Sequence, residues 1–142
     1  MPKLEKLSDY VNAQSSIVPG SKSTGAVTAV AVDGSGGFDR CRHVIHIGAV
    51  GTSGGFDAEV TESATSGGSY TLIASSGMTA VTAAAANTLI ILDVPVSNTK
   101  PFQKVRSTVS TAAIGLCAVA ELYNGTRPLG TAQGDVTQEV VV

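Results

Sequence analysis

Residues 102–110 and 115–123 restrict this chain to a β fold more than any other stretch. In FQKVRSTVS, Val105 and Val109 share one face while Lys104, Arg106 and Thr108 share the other, the period-two pattern of a strand with one dry side. In GLCAVAELY both faces are apolar, with Leu116, Ala118, Ala120 and Leu122 opposed by Cys117 and Val119, as a central strand requires. A few small residues separate the two stretches, so they read as the arms of a β-hairpin. Pro101 cannot donate to a ladder and fits the strand start, and Asn124-Gly125 supplies the positive φ angles that end the returning arm. Phe102 falls out of phase with Val105. Either a bulge lies near Gln103 and Lys104, or Phe102 packs outside the main core.

The rest of the chain repeats the pattern. Strands are expected at residues 26–32, 42–50, 56–63, 70–74, 78–82 and 88–94, which with the two arms makes about eight, a sandwich number. The clearest alternation is FDAEVTES, with Phe56, Ala58 and Val60 inward and Asp57, Glu59 and Thr61 outward. Glycine turns at Ser35-Gly36-Gly37-Phe38, Ser53-Gly54-Gly55-Phe56 and Ser66-Gly67-Gly68-Ser69-Tyr70 each release an aromatic residue into a strand and read as hairpin turns. The expected architecture is all-β, a single antiparallel sandwich of jelly-roll or immunoglobulin-like type. It is divided into an N-terminal arm or short helix (1–24), the sandwich (25–129) and a C-terminal tail (130–142) whose run DVTQEVVV is a possible edge strand. Leu4, Leu7 and Val11 recur at helical spacing, and residues 12–24 are polar apart from Ile17 and Val18, so that stretch is expected to cross the surface.

Composition narrows the function. A length of 142 residues with 43% apolar side chains fills one core, and abundant small residues with only 4% aromatic suit thin strands and tight turns. A net charge of -2 offers no field for a row of phosphates, which disfavours nucleic acid. The longest nearly apolar run, residues 112–120, is far short of the roughly 20 residues a membrane helix needs, so no membrane partner is expected. Glu5 and Asp9 interrupt any apolar secretion signal, so folding in the cytosol is expected, with Cys41 and Cys117 as small buried hydrophobes.

Motifs that carry chemistry elsewhere fail on context here. Gly51-Thr52-Ser53-Gly54-Gly55 matches the nucleophile elbow, yet an elbow runs from strand to helix, and Phe56 onward alternates as a strand. Cys41, His43 and His46 have zinc-binding residue types, but on a strand His46 faces away from the other two, and the histidines are expected to make ordinary hydrogen bonds near the sheet surface. Asp33-Gly34-Ser35 lacks the spaced ligands of a calcium loop. No catalytic residue, metal or cofactor is assigned.

Two long segments, HVIHIGAVGTSGGFDAEVTESATSGGSYTLI and TLIILDVPVSNTKPFQKVRSTVSTAAIGLCAVAELYNGTRPL, resemble small β-sandwich virion proteins of tailed bacteriophages, those encoded beside the major capsid protein. The pattern includes Glu62-Ser63 before a glycine turn, the Tyr70-Thr71 strand, an aromatic and basic strand with Arg106, and a basic turn at Arg127. The resemblance implies a decoration or cement protein, made in the host cytoplasm and placed on the capsid exterior with the major capsid protein as partner. A homo-oligomer is expected, a trimer before a dimer. Leu4, Leu7, Tyr10 and Val11 are the candidate apolar anchor in the arm, with Lys104, Arg106 and Arg127 as the alternative attachment face. Removal of residues 1–14 is expected to leave the sandwich folded. Another phage component, such as a tail tube or head-tail connector, and a carbohydrate-binding sandwich are the alternatives.

Overall fold

The computed structural model describes residues 11–124 and 136–142. Its strands are β1 (Val11–Lys22), β2 (Gly25–Val27), β3 (Val32–Asp33), β4 (Arg40–Val50), β5 (Gly55–Ser63), β6 (Thr71–Leu72), β7 (Thr88–Pro95), β8 (Phe102–Ser110), β9 (Ile114–Tyr123) and β10 (Val136–Val141). Sheet A has the order β1-β9-β4-β7-β10. Sheet B has the order β2-β8-β5-β6, and β3 also pairs with β8. No helix occurs among the described residues.

Four antiparallel pairings are nested one inside the next: β1 with β9, β2 with β8, β4 with β7, and β5 with β6. A chain paired in this way is one long hairpin with its tip at the Ser66 to Tyr70 turn. Rolling it up brings β9 against β4 and β8 against β5. This is the jelly roll, a sandwich of two Greek keys, rather than the immunoglobulin arrangement.

The roll corrects the expected hairpin of residues 102–123. β8 and β9 do not pair; they lie in opposite sheets. Thr111, at φ 68°, turns the chain from one sheet into the other, and Ile114 is fully buried at the crossing. Both arms have an inward apolar face, and the arch packs those faces together: Val105 and Val109 share a core with Ile114, Leu116 and Ala118. Two of the three glycine turns likewise change sheets instead of closing hairpins. At the β4 to β5 crossing a Cβ on Gly55 would lie 2.8 Å from the Val81 carbonyl, so only glycine allows that approach. The third turn joins β5 to β6 as a hairpin.

Three boundaries also move. The sandwich begins at Val11, not near residue 25, because residues 11–22 form an edge strand with Ile17 completely buried. Register shifts at Ser15/Ile17 and Ile17/Gly20 break the period-two signal, and Pro19 is tolerated because the strand is an edge. Residues 78–82 do not form a strand. They follow β5 irregularly, with Met78 N–H donating to the Ala58 carbonyl and Val81 bridging Phe56. β10 runs parallel to β7, the one departure from antiparallel pairing among the described strands. The β5–β8 register is unbroken from Gly55 to Ser63, so there is no bulge, and Phe102 lies on the outward face of β8, half-buried.

If β1 is integral to the core, Ile17→Ala is expected to cost about 3 kcal/mol in urea unfolding. Val18→Ala, at a site 55% exposed, is expected to stay within about 0.5 kcal/mol of wild type. Equal, small effects of the two would mean that β1 is a detachable arm.

Candidate interaction surfaces

Alternation on β4 aims Cys41, His43, Ile45 and Ile47 inward and Arg42, Val44 and His46 outward. His43 is therefore fully buried, not near the sheet surface as expected. Ser16 Oγ lies 3.0 Å from its Nδ1, Gln103 Oε1 lies 3.2 Å from its Nε2, and Cys41 Sγ lies 3.4 Å from the same Nε2. Gln103 Nε2 donates to the Pro95 carbonyl at 2.8 Å, which leaves Gln103 Oε1 free to accept from His43 Nε2–H and Nδ1 free to accept from Ser16. The neutral ring is thus fully bonded and ties β1 and β4 of one sheet to β8 of the other. Burial pushes the His43 pKa down to about 4 and the Cys41 thiol well up. Chemistry so enclosed reaches no substrate; it holds the sheets in register.

Sequence reading missed Ser16 and Gln103. The signal for Gln103 was its phase, since it shares the inward face with Val105. Ser107 shares that face too, and its Oγ has no hydrogen-bond partner.

The residues singled out by motif do not assemble into a site. Ser53 sits at φ 57° in a tight turn where Gly54 N–H donates to the Gly51 carbonyl. Asp33 accepts from Ser35 N–H at 2.9 Å; Ser35's hydroxyl and backbone N–H hold its carboxyl below the usual range. No group of three or more His, Cys, Asp or Glu among the described residues is placed to hold a metal.

A second polar cluster lies on the outer face of sheet A. Asp93 is almost wholly buried. Its carboxylate accepts from Arg40 Nε at 2.9 Å and from Tyr123 hydroxyl at 2.6 Å. Arg40 Nη2 also donates to the Val142 carbonyl at 2.8 Å, and Val142 N–H donates to the Asp93 carbonyl at 3.0 Å, so the cluster fastens the end of β10. Burial opposes the charge on Arg40, but the Asp93 carboxylate outweighs it and the guanidinium pKa is raised. Burial, reinforced by Asp93, pushes the Tyr123 phenol up to about 12.

Of the expected attachment residues, Lys104 and Arg106 share the outer face of sheet B and both have partners there. Arg106 pairs with Glu59 across the strands, and the Lys104 ammonium lies 4.5 Å from the centre of the Tyr70 ring. Val11 opens β1, half-buried. Leu4, Leu7, Tyr10 and Arg127 lie outside the described residues.

The outer face of sheet A is different. Beyond the Arg42–Glu121 pair, the register aligns Val119, Val44 and Ile91 in one row and Cys117, His46 and Leu89 in the next. Val119 is 41% exposed, while Val44, Ile91 and Leu89 are half-buried. A shallow cleft of about 430 Å³ lies at that end, between His46, Cys117, Leu89, Pro19 and Asn87. An apolar band with a charged border has the anatomy of a protein contact surface.

No protein-family model, curated protein or solved structure matches the chain. The surface must therefore be interpreted from its own chemistry.

The buried histidine gives a pH signature. His43 has a folded pKa of about 4 against 6.5 for the exposed group, so between those values the unfolded chain binds the extra proton. Its stabilising effect is complete above pH 6.5 and is lost as pH falls toward 4, by about 3 kcal/mol at most. Urea unfolding across that range should show the slope in wild type and a shallower one in His43→Gln. An identical slope in both would remove His43 as its cause.

Proposed function

We propose that the chain is a structural virion protein of a tailed bacteriophage: a decoration or cement protein that binds the major capsid protein on the capsid exterior and steadies contacts between capsomers. The observation that carries this reading is the jelly-roll topology of the segment that resembles such proteins, since viral capsid domains are among the recurrent users of that topology. A fold alone does not fix a function. The outer face of sheet A adds an independent reason, a band of Val119, Val44 and Ile91 bordered by Arg42 and Glu121, suited to lying against another protein.

Jelly rolls also include lectins, which would want exposed aromatic platforms. Among the described residues Phe56 and Tyr123 are buried, Phe38, Phe102 and Tyr70 are half-buried, and the Lys104 ammonium lies over the Tyr70 ring. The carbohydrate reading is accordingly weaker.

The arm remains the proposed anchor, with one change to its limits. Deleting residues 1–14 would remove Gln14, whose amide bonds both the N–H and the carbonyl of Asp33, so the informative truncation stops at residue 10. Removing residues 1–10 is expected to leave cooperative unfolding unchanged and to weaken co-sedimentation with undecorated heads by about ten-fold or more, since each lost anchor is multiplied over the copies in one oligomer. Val119→Asp is expected to weaken it as well. A full-length chain that ignores heads, or that electron microscopy places in tails, would sink the decoration reading.

A further inference from the structure

A jelly roll has four sheet edges, and this chain treats them unequally. On the β1 edge, Gln14 bonds the backbone of Asp33, and the Ser16 carbonyl accepts from Val30 N–H at 2.8 Å, so the segment leading into β3 lies against residues 14–16, while the rest of the strand carries Pro19 and Lys22. In sheet B, β2 has three residues and β6 has two, edges too short to template another strand. The outer side of β5 is followed by residues 71–81. The remaining edge of an eight-stranded roll would be β7, and β10 lies along it.

Capping β7 passes the open edge to β10. Val142 N–H donates to the Asp93 carbonyl, so residues 140 and 142 face β7, and the N–H and C=O groups of Glu139 and Val141 point away from it. The strand sequence VTQEVV contains no proline or lysine and is β-prone; its charged residue is Glu139, and its pairing with β7 is irregular between Val136 and Gln138, so the regular edge runs from Gln138 onward. Among the described residues no segment pairs along its outer side.

We propose that β10 pairs antiparallel with β10 of a second copy of this chain, joining the two A sheets across a two-fold axis. An antiparallel strand edge is complementary to itself, and every copy presents the same edge, so the partner is present wherever the protein is. The pairing is isologous and closes at two copies, which favours the dimer over the trimer. It also places the apolar bands of both copies on one side of a continuous sheet. The inference does not depend on the virion reading, because it concerns the isolated chain.

Light scattering of the purified full-length chain, run over a concentration series, is expected to show a dimer. Glu139→Pro removes one outward N–H and leaves the bonds to β7 in place. It should raise the dimer dissociation constant by about ten-fold or more while leaving the melting temperature within a few degrees. Should that variant misfold, hydrogen exchange on the wild type serves instead: the Glu139 and Val141 amides are expected to gain protection as concentration rises. A monomer at all concentrations, a trimer, a dimer indifferent to Glu139→Pro, or amides equally unprotected throughout would each overturn the proposal. Head binding is a separate measurement, and its failure leaves this result standing.

Discussion

The fold depends on keeping one layer dry between two sheets made from a single rolled hairpin. Nested pairing forces most connections, including the β4–β5 and β8–β9 crossings, to leave one sheet and enter the other, so neighbours in sequence meet face to face instead of edge to edge. Phe56, Val60, Val105 and Val109 then pack against Ile45, Ile90, Leu92 and Ala118. With few aromatic residues, the layer is filled by branched aliphatic and small side chains, and Ala58, Ala118 and Ala120 leave room for the sheets to approach. Gly55 is crowded within sheet B instead, by Ser110 of the neighbouring β8 and by the Val81 carbonyl.

Polar groups inside that layer serve alignment. An apolar sandwich tolerates sliding of one sheet over the other, because dispersion and burial are non-directional. The His43–Gln103 bond spans the sheets and the Ser16–His43 bond fixes the bulged edge strand, and both are directional. Together they penalise any register but one. Ser107 shows the opposite case, a buried hydroxyl whose desolvation no partner offsets, at a cost on the order of 1–3 kcal/mol.

Much of this was legible in the sequence, and the division has a physical basis. Periodicity reports which face of a strand is dry, so the inward sets of β5, β8 and β9 were readable, as were the opposed directions of His43 and His46. Periodicity says nothing of which strand lies alongside. The arch at Thr111 and a hairpin at Thr111 demand the same small, turn-forming residues, and only the need to bury Ile114 separates them. β1 was hidden because its bulges scramble the alternation around Ile17. The apolar band on sheet A was hidden for another reason. Val44, Val119 and Ile91 come from three strands distant in sequence, and only the register brings them into one row.

The Asp93 cluster links these levels. A buried ion pair is a poor source of stability by itself, since desolvation offsets its attraction. Here Arg40 comes from β4, Asp93 from β7 and Tyr123 from β9, and the group they form holds Val142 at the end of β10. Those three strands are adjacent only after the hairpin has rolled, so the holding site for the last strand does not exist in a partly folded chain. A β-prone segment such as VTQEVV is an aggregation hazard while the chain is unfolded. Docking on the completed sheet ends that exposure on one side, where β7 supplies the backbone partners.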